Sequence, residues 1–333
     1  MLDIYLTIFF ISVLLIFLGS GVWVGISMIG VSTIGMMMFT SRPVGDAMAT
    51  TMWSMGSSWS LTALPLFVWM GEILFRTKLS ENLFKGLSPW LSKLPGGLVH
   101  VNILGCAIFA AISGSSAATV ATVGKMSIPE LRKRNYPEKF LLGTLAGSGT
   151  LGLLIPPSII LIIYGVTVEE SIAKLFIAGI IPGIGLALLF MIYVIAWSLK
   201  NKDIMPVISE DFSFVEKIKK SGQLLPVVLL IFAVIGSIYA GIATATEAAS
   251  LGVLGALVLS YFQKSLTKES FSKSLLGATK TSCMIAFILA GSSFLTLAMA
   301  FTGLPKNLAV FIDTLDLSPY MLLVVLTLSL IHI

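Results

Sequence analysis

The sequence predicts an all-α polytopic membrane protein, some of whose crossings are broken into half-length pieces. Three observations predict it. Of the 333 residues, 56% are hydrophobic and 11% charged, where a soluble domain has about 45–50% and 25%. Mean hydropathy is +1.00, and long windows carry no charge at all. Between Gly97 and Pro157 the apolar runs are only about 8 to 17 residues long, whereas a helix needs about 20 residues to cross hydrocarbon. Irregular backbone at membrane depth persists only where protein or a water-filled cavity covers it. Paired broken segments of this kind point to the binding site of a secondary transporter.

Taken in order, Leu2–Leu18 and Val22–Phe39 are two apolar runs joined at Gly19-Ser20-Gly21. Asp3 and the lack of a basic start exclude a cleaved signal peptide, so the first run is a retained helix. Gly25, Gly30 and Gly35 in the second run suit close helix packing. Thr40 to Ser60 is a more polar connector, with Trp53 and Trp59 suited to a membrane interface. Leu61–Phe75 is the next crossing, with Glu72 near its end. Arg76 to Lys93 is amphipathic, with Leu79, Leu83, Leu87 and Leu91 at spacing four. It reads equally as a helix in the interface plane or as one packed on other protein.

The central stretch follows. Leu98–Ile112 meets a polar knot, Ser113-Gly114-Ser115-Ser116, and Ala117–Gly124 leads into a basic loop, Lys125–Lys139. This reads as a re-entrant hairpin over about residues 97–125. A broken helix over about 140–166 is cut by Gly147-Ser148-Gly149 and by Pro156-Pro157. Ser171–Leu199 is long and apolar, with an interruption expected at Pro182-Gly183. Residues 1–199 form one part, 200–222 a polar linker holding a short helix, and 223–333 a second part. That part contains Leu224–Tyr239, Ala245–Phe262, a basic amphipathic segment Gln263–Lys280, a crossing Met284–Phe301, an acidic loop Thr302–Pro319 and a final apolar run.

Loop charges orient the chain. Arg76–Lys93, Lys125–Lys139 and Gln263–Lys280 carry four, five and four basic residues against one, two and one acidic. Val166–Lys174 and Leu304–Pro319 each carry one basic and two acidic residues. The positive-inside rule puts the first three in the cytoplasm. Both flanks of the Ser113–Ser116 knot then lie on one side, as a re-entrant hairpin requires. The net charge of +5 is therefore a topology signal and not a nucleic-acid footprint.

The polar tip offers hydroxyls and unpaired backbone groups at helix ends. Amino-terminal ends attract anions, and carboxy-terminal carbonyls suit a cation such as Na⁺. The candidate cation ligands are Ser113, Gly114, Ser115 and Ser116 at the tip, faced by Gly149, Thr150 and Pro156 at the break. Thr244-Ala245-Thr246-Glu247 fits a capping box, and a carboxyl near membrane depth also marks ion paths. Thr246 and Glu247 are therefore reserve ligands. Glu72 reads mainly as a helix-end carboxylate that reaches the interface. Enzyme chemistry fails on inventory. Ser115 and Ser116 lack a convincing base, as His100 and His332 lie in other segments, and no phosphate-binding Gly-Lys-Ser/Thr loop is present. The same two histidines make no metal cluster, and Cys106 and Cys283 read as small apolar residues. The rival readings are a channel or a structural membrane subunit. A channel calls for full-length polar helices, and a structural subunit needs no polar tip.

Several stretches resemble the large membrane subunit of tripartite ATP-independent periplasmic (TRAP) transporters. They are Ile112-Ser113-Gly114-Ser115-Ser116-Ala117, Gly149-Thr150-Leu151-Gly152-Leu153-Leu154-Ile155-Pro156-Pro157-Ser158, Tyr164-Gly165, Ala178-Gly179-Ile180-Ile181-Pro182-Gly183 and Gly241-Ile242-Ala243-Thr244-Ala245-Thr246-Glu247-Ala248-Ala249. Ala245 stands where the family usually has proline. The resemblance implies an elevator-type transporter of two inverted repeats in the bacterial inner membrane. It implies sodium-coupled import of a small organic acid, with no cofactor besides the coupling Na⁺. The expected partners are a small four-helix membrane subunit, a periplasmic substrate-binding protein, the organic-acid substrate and the lipid bilayer, but no nucleic acid. An ion-coupled organic-anion transporter without a binding protein is the alternative. By the same resemblance the tip and break form the sodium and substrate sites, which places Ser115, Ser116, Pro157 and Ser158 near substrate. The family's second hairpin and its Pro-Pro break are expected beyond Ile333. The chain thus reads as truncated, with the second repeat incomplete and coupled transport not expected of it alone.

Overall fold

The structure is a computed structural model describing residues 2–77, 79–206, 212–222 and 224–332. The expected linker 200–222 therefore lies partly outside the described residues, as does Lys78 of the amphipathic segment. Among the described residues sixteen α-helices follow one another, and no strand occurs. In order they are α1 (Leu2–Gly19), α2 (Val24–Phe39), α3 (Val44–Gly56), α4 (Ala63–Phe75), α5 (Leu79–Leu91), α6 (His100–Ser113), α7 (Ser116–Lys133) and α8 (Glu138–Gly149). There follow α9 (Ile159–Thr167), α10 (Ile172–Lys200), α11 (Phe214–Ser221), α12 (Leu225–Tyr239), α13 (Ala245–Phe262), α14 (Lys268–Phe301), α15 (Leu304–Asp313) and α16 (Pro319–His332). The chain divides into two compact units, residues 1–57 with 283–333, and residues 58–282.

The membrane character is visible in what is exposed. Three helices, α10, α13 and α14, are each long and apolar enough to cross a bilayer. On α10, Ile177, Ile181, Ile184, Leu188 and Ile192 recur at helical spacing and are all exposed. A continuous exposed apolar stripe of this kind suits lipid or another membrane helix, because water would not tolerate it. Trp53 and Trp59 are exposed, as an interfacial role requires.

In lipid there is no hydrophobic drive between helices, so close backbone approach and good packing carry the association. In the smaller unit, Leu6 and Phe10 of α1 pack with Val31 of α2 and Leu304 of α15. Gly30 and Gly35 of α2 receive Phe17 and Phe10, and a methyl group at Gly291 of α14 would lie 2.8 Å from the Gly25 carbonyl oxygen. The glycines of the second apolar run are thus packing positions, as their spacing suggests. In the larger unit, α4 lies along α13 with Gly252 against Met70. Its main core joins α6, α7, α8 and α10 through Leu98, Ile103, Ala110, Leu131, Leu141 and Val194. Helix α5 lies on α4, α6, α7 and α11 and buries Leu83, Phe84 and Leu91, which decides for protein packing of the amphipathic segment.

Five elements differ from expectation. The second hairpin arm runs on to Lys133, past the expected end near 125. Thr119, Val123, Ser127 and Leu131 form a buried stripe at spacing four, which extends the helix through the basic loop and leaves only residues 134–137 as the turn. Pro182 does not interrupt α10. Gly179 and Gly183 instead face the break, where methyl groups would lie 2.7 Å from Leu154 O and 2.9 Å from Ile155 Cγ1. The basic segment and crossing expected at 263–280 and 284–301 are one helix of 34 residues, α14. No proline lies within α14, and the Lys273–Glu269 pair supports its first turns. The polar connector and the acidic loop are largely helical, as α3 and α15.

Candidate functional site

The hairpin tip is two residues wide. Helix α6 ends at Ser113, and Gly114 takes the left-handed conformation at φ 58° that glycine adopts without a steric penalty. Ser115 is extended and caps α7, its Oγ accepting from Ala118 N at 3.4 Å. The Ser113 hydroxyl folds back over the turn. It lies 3.0 Å from Thr119 Oγ1, donates to Ser115 O at 3.3 Å, and accepts from Ser115 N at 3.3 Å. Ser113 is buried within the fold, and Ser115 is half-buried.

The break has its own frame. Helix α8 tightens into a 3-10 turn over Thr150–Leu153 and stops at the buried pair Pro156-Pro157. Ser158 is fully buried, and its Oγ donates to Leu153 O at 2.7 Å. Helix α9 then restarts the crossing.

Tip and break meet backbone to backbone. The Ile159 amide donates to the Gly114 carbonyl at 3.2 Å. A methyl group on Gly114 would lie 2.6 Å from Pro157 O, and one on Gly152 would lie 2.9 Å from Ser116 N and 3.0 Å from Ser115 C. Side chains at these positions would therefore separate the two segments. At this seam the Ser116 hydroxyl is buried with no hydrogen-bond partner. An orphaned buried hydroxyl costs about 1–3 kcal/mol, so its presence in a packed seam asks for a ligand. Ser115 Oγ, which accepts one bond, and Ser158 Oγ, which only donates, each retain a lone pair, whereas Ser113 Oγ is saturated by Ser115 and Thr119.

Of the sequence-derived candidates, Ser113, Gly114, Ser115, Ser116, Pro157 and Ser158 come together at this seam. Gly149 sits behind the start of α7, against Val120 and 3.8 Å from Ser116 O when a methyl is placed on it. Pro156 is buried, on the Gly179 side of the break. Thr150 is exposed, and its hydroxyl donates to Gly147 O at 2.7 Å. Thr246 and Glu247 stand apart in the capping box of α13. Glu247 Oε2 accepts from Thr244 N at 2.8 Å and Thr244 Oγ1 at 2.9 Å, so its carboxylate is engaged in capping the helix.

A cavity of about 180 Å³ opens beside the tip, lined by Gly71, Glu72, Ser113, Ser115, Ile159 and Thr281 among others. Glu72 is more central here than its place in the sequence implies. Its carboxylate pairs with Arg76 at 2.9 Å, and Arg76 also donates to Lys273 O at 3.3 Å. Gly71 lets α4 touch the tip, since a methyl there would lie 2.9 Å from Ser113 Cα. Gly71 and Gly152 are the contributors that sequence reasoning missed. Among the described residues no group of His, Cys, Asp and Glu could hold a multivalent metal.

The family model described as "Tripartite ATP-independent periplasmic transporter, DctM component" matches residues 11–333. The chain is 33% identical over 288 residues to the C4-dicarboxylate TRAP transporter large permease protein DctM of Pseudomonas aeruginosa, covering 86% of this chain and 66% of that protein. It is 31% identical to the sialic acid TRAP transporter large permease protein SiaM of Vibrio cholerae, covering 94% and 73%. It is 30% identical to the ectoine/5-hydroxyectoine TRAP transporter large permease protein UehC of Ruegeria pomeroyi, covering 81% and 63%. The chain thus spans about two thirds of the length of these relatives, and all three are named as transporter permeases and not as enzymes. With its broken helix, its hairpin and a family match over nearly its whole length, the chain belongs to the DctM component family of tripartite ATP-independent periplasmic transporters.

Proposed function

We propose that this chain is the large permease subunit of a sodium-coupled importer of a small organic acid. It works in the bacterial inner membrane with a small four-helix membrane subunit and a periplasmic substrate-binding protein. The relatives' names span dicarboxylates, sialic acid and ectoines, so the shared machinery is the permease frame and the substrate choice lies elsewhere. The basic loops face the cytoplasm, and the tip is reached from that side. Residues 1–199 form the first of two inverted repeats, 200–222 the linker, and 223–333 part of the second. One pairing supports the repeat reading: α4 packs on α13 in the larger unit, while α14 packs on α2 in the smaller.

The observation that carries the sodium reading is the orphaned Ser116 hydroxyl, buried at the start of α7, whose backbone packs against Gly152 of the break. Na⁺ is a hard cation that needs several oxygens in place of its hydration shell. The Ser113, Ser115 and Ser116 oxygens and the tip carbonyls supply them without a fully buried countercharge, which is costly at membrane depth. Gly149 backs the start of α7, Thr150 and Pro156 shape the break behind the seam, and Pro157 and Ser158 sit next to the substrate. Thr246 and Glu247 remain second choices, because their groups serve the α13 cap.

The test is equilibrium binding of radioactive sodium to the purified chain. Saturable binding is expected, weakened a few-fold in Ser116→Ala and abolished in Gly114→Val. Absence of sodium binding by the wild type, or binding that survives Gly114→Val in folded protein, refutes the site. The transport reading is tested separately, as sodium-gradient uptake in cells that carry the whole three-part system.

A further inference from the structure

A trench of about 570 Å³ runs between α8 and α10 in the larger unit. Gly143 and Gly147 of α8 form its floor, four residues apart and so on one helix face. Leu189, Tyr193 and Trp197 of α10 form its wall at the same spacing. The two helices run antiparallel. Phe140 stacks on Trp197 near one end, ring centroids 3.9 Å apart. Near the other end a methyl group on Gly147 would lie 3.8 Å from the Phe190 ring. From Leu189 to Trp197 the trench is about 12 Å long at 1.5 Å per residue. A methyl group on Gly143 would meet nothing within 4 Å, so this part of the floor is open.

The middle and the end of the trench differ in chemistry. The middle is hydrocarbon and glycine, and its Thr144 hydroxyl is engaged, donating to Leu141 O at 3.0 Å and accepting from Asn102 Nδ2 at 3.3 Å. The Phe140–Trp197 end carries Lys139, which is exposed at the rim. Lys200, one turn beyond Trp197 on α10, belongs to the same end and is also exposed. Among the described residues no carboxylate lines the trench, and Glu138, beside Lys139, pairs with Arg132. A polar solute finds few partners along such a floor. An amphiphile with a negative head fits it, its chain in the trench and its head at the lysines. Tryptophan and tyrosine prefer headgroup depth, and basic pockets between membrane helices recruit anionic headgroups. Because α8 and α10 meet at both ends, a partner helix, about 10–12 Å across, does not enter between them, whereas a single hydrocarbon chain does.

We propose that this trench binds one acyl chain of an anionic phospholipid, with the lipid phosphate at Lys139 and Lys200. The apolar trench holds the lipid, and the two lysines select its charge. The inference rests on the membrane setting of the chain and not on the sodium reading.

The test is photo-crosslinking of the purified chain, in neutral detergent, to phosphatidylglycerol that carries a diazirine on one acyl chain. Labelled peptides are mapped by mass spectrometry. Labelling should concentrate on α8 and α10 at the trench, and unlabelled phosphatidylglycerol should compete at least tenfold better than phosphatidylcholine of the same chains. Gly143→Trp fills the open floor and should reduce trench labelling at least tenfold. Gly143→Leu, which raises helix propensity, keeps the test valid should the tryptophan variant misfold. Gly236→Leu on α12, where an added methyl also meets nothing within 4 Å, is the control and should label like the wild type. Lys139→Gln combined with Lys200→Gln should retain labelling and lose the preference for phosphatidylglycerol. The proposal fails if labelling scatters over the apolar helices with no excess at the trench, or if both Gly143 variants label like the wild type. It fails if phosphatidylcholine competes equally well, or if the preference survives the loss of both lysines. It also fails if adding the small membrane subunit abolishes trench labelling, since the trench then belongs to that partner.

Discussion

Gly114→Ala is the sharpest perturbation of the tip, and Gly241→Ala is its internal reference. Both glycines have positive φ, 58° and 69°. The left-handed conformation costs a residue with a Cβ about 1–2 kcal/mol. At Gly241 nothing lies within 4 Å of the added methyl, so that is the whole cost. At Gly114 the methyl arrives 2.6 Å from Pro157 O. Carbon–oxygen contacts rarely close below about 3.3 Å, so tip and break must part by about 0.7 Å. Overpacking of this kind adds about 1–3 kcal/mol. The displacement also exceeds the ~0.5 Å within which a binding constellation must be held. Thermal unfolding of the two variants and the wild type, in sodium and in potassium at equal ionic strength, separates these effects. Gly241→Ala should lower the midpoint modestly and keep the sodium-dependent rise. Gly114→Ala should lower it further and require at least tenfold more sodium for the same rise, equivalent to about 1.4 kcal/mol. If the two variants behave alike, the tip and the break are not sterically coupled and the reasoning fails.

Gly291→Val should unfold the α2–α14 contact, because its side chain meets the Gly25 carbonyl at 2.8 Å, while Gly236→Ala, with open space around it, should change stability little; circular dichroism melts distinguish them. Ser158→Ala removes the buried bond to Leu153 O and should cost about 0.5–1.5 kcal/mol by the same melts, with no gain in sodium affinity. Asn135→Cys, in a background lacking Cys106 and Cys283, should react with an impermeant thiol reagent from the cytoplasmic side only; labelling from outside intact cells inverts the topology. The Arg132 guanidinium holds the Glu138 carboxyl below the usual carboxylate range, chiefly by hydrogen bonding. The pair's small contribution is therefore present above that range and lost as pH falls through the lowered value, so a stability gap between wild type and Glu138→Gln at neutral pH should narrow and close as the pH is brought below the usual carboxylate range.

The break and the tip were legible in the sequence for a simple reason. A proline pair or a serine–glycine cluster inside an apolar run interrupts the helix and leaves backbone groups to be satisfied at membrane depth, and Pro156-Pro157 and Ser113–Ser116 do so within one short stretch. Helix continuity was harder to read. Charge in Lys125–Lys139 and Gln263–Lys280 resembles a loop, yet charged side chains on one exposed face leave a helix intact. The stripe through Thr119, Val123, Ser127 and Leu131 is faint in the sequence because half of it is hydroxyl and not hydrocarbon. Pro182 misled in the opposite sense, since a proline in a membrane helix is tolerated where neighbours satisfy the backbone. Contacts between distant segments were beyond local pattern. Nothing near Glu72 in the sequence announces the tip, and Gly71 acquires its purpose only when Ser113 packs onto it.

The link from the Ile159 amide to the Gly114 carbonyl is made of atoms that every sequence possesses. Its persistence depends on what is missing at two places, a Cβ at Gly114 and a Cβ at Gly152. The scaffold is thereby insulated from the chemistry of its lining. Side chains around the seam can change while the hairpin and α9 remain fastened, provided those two glycines are left in place.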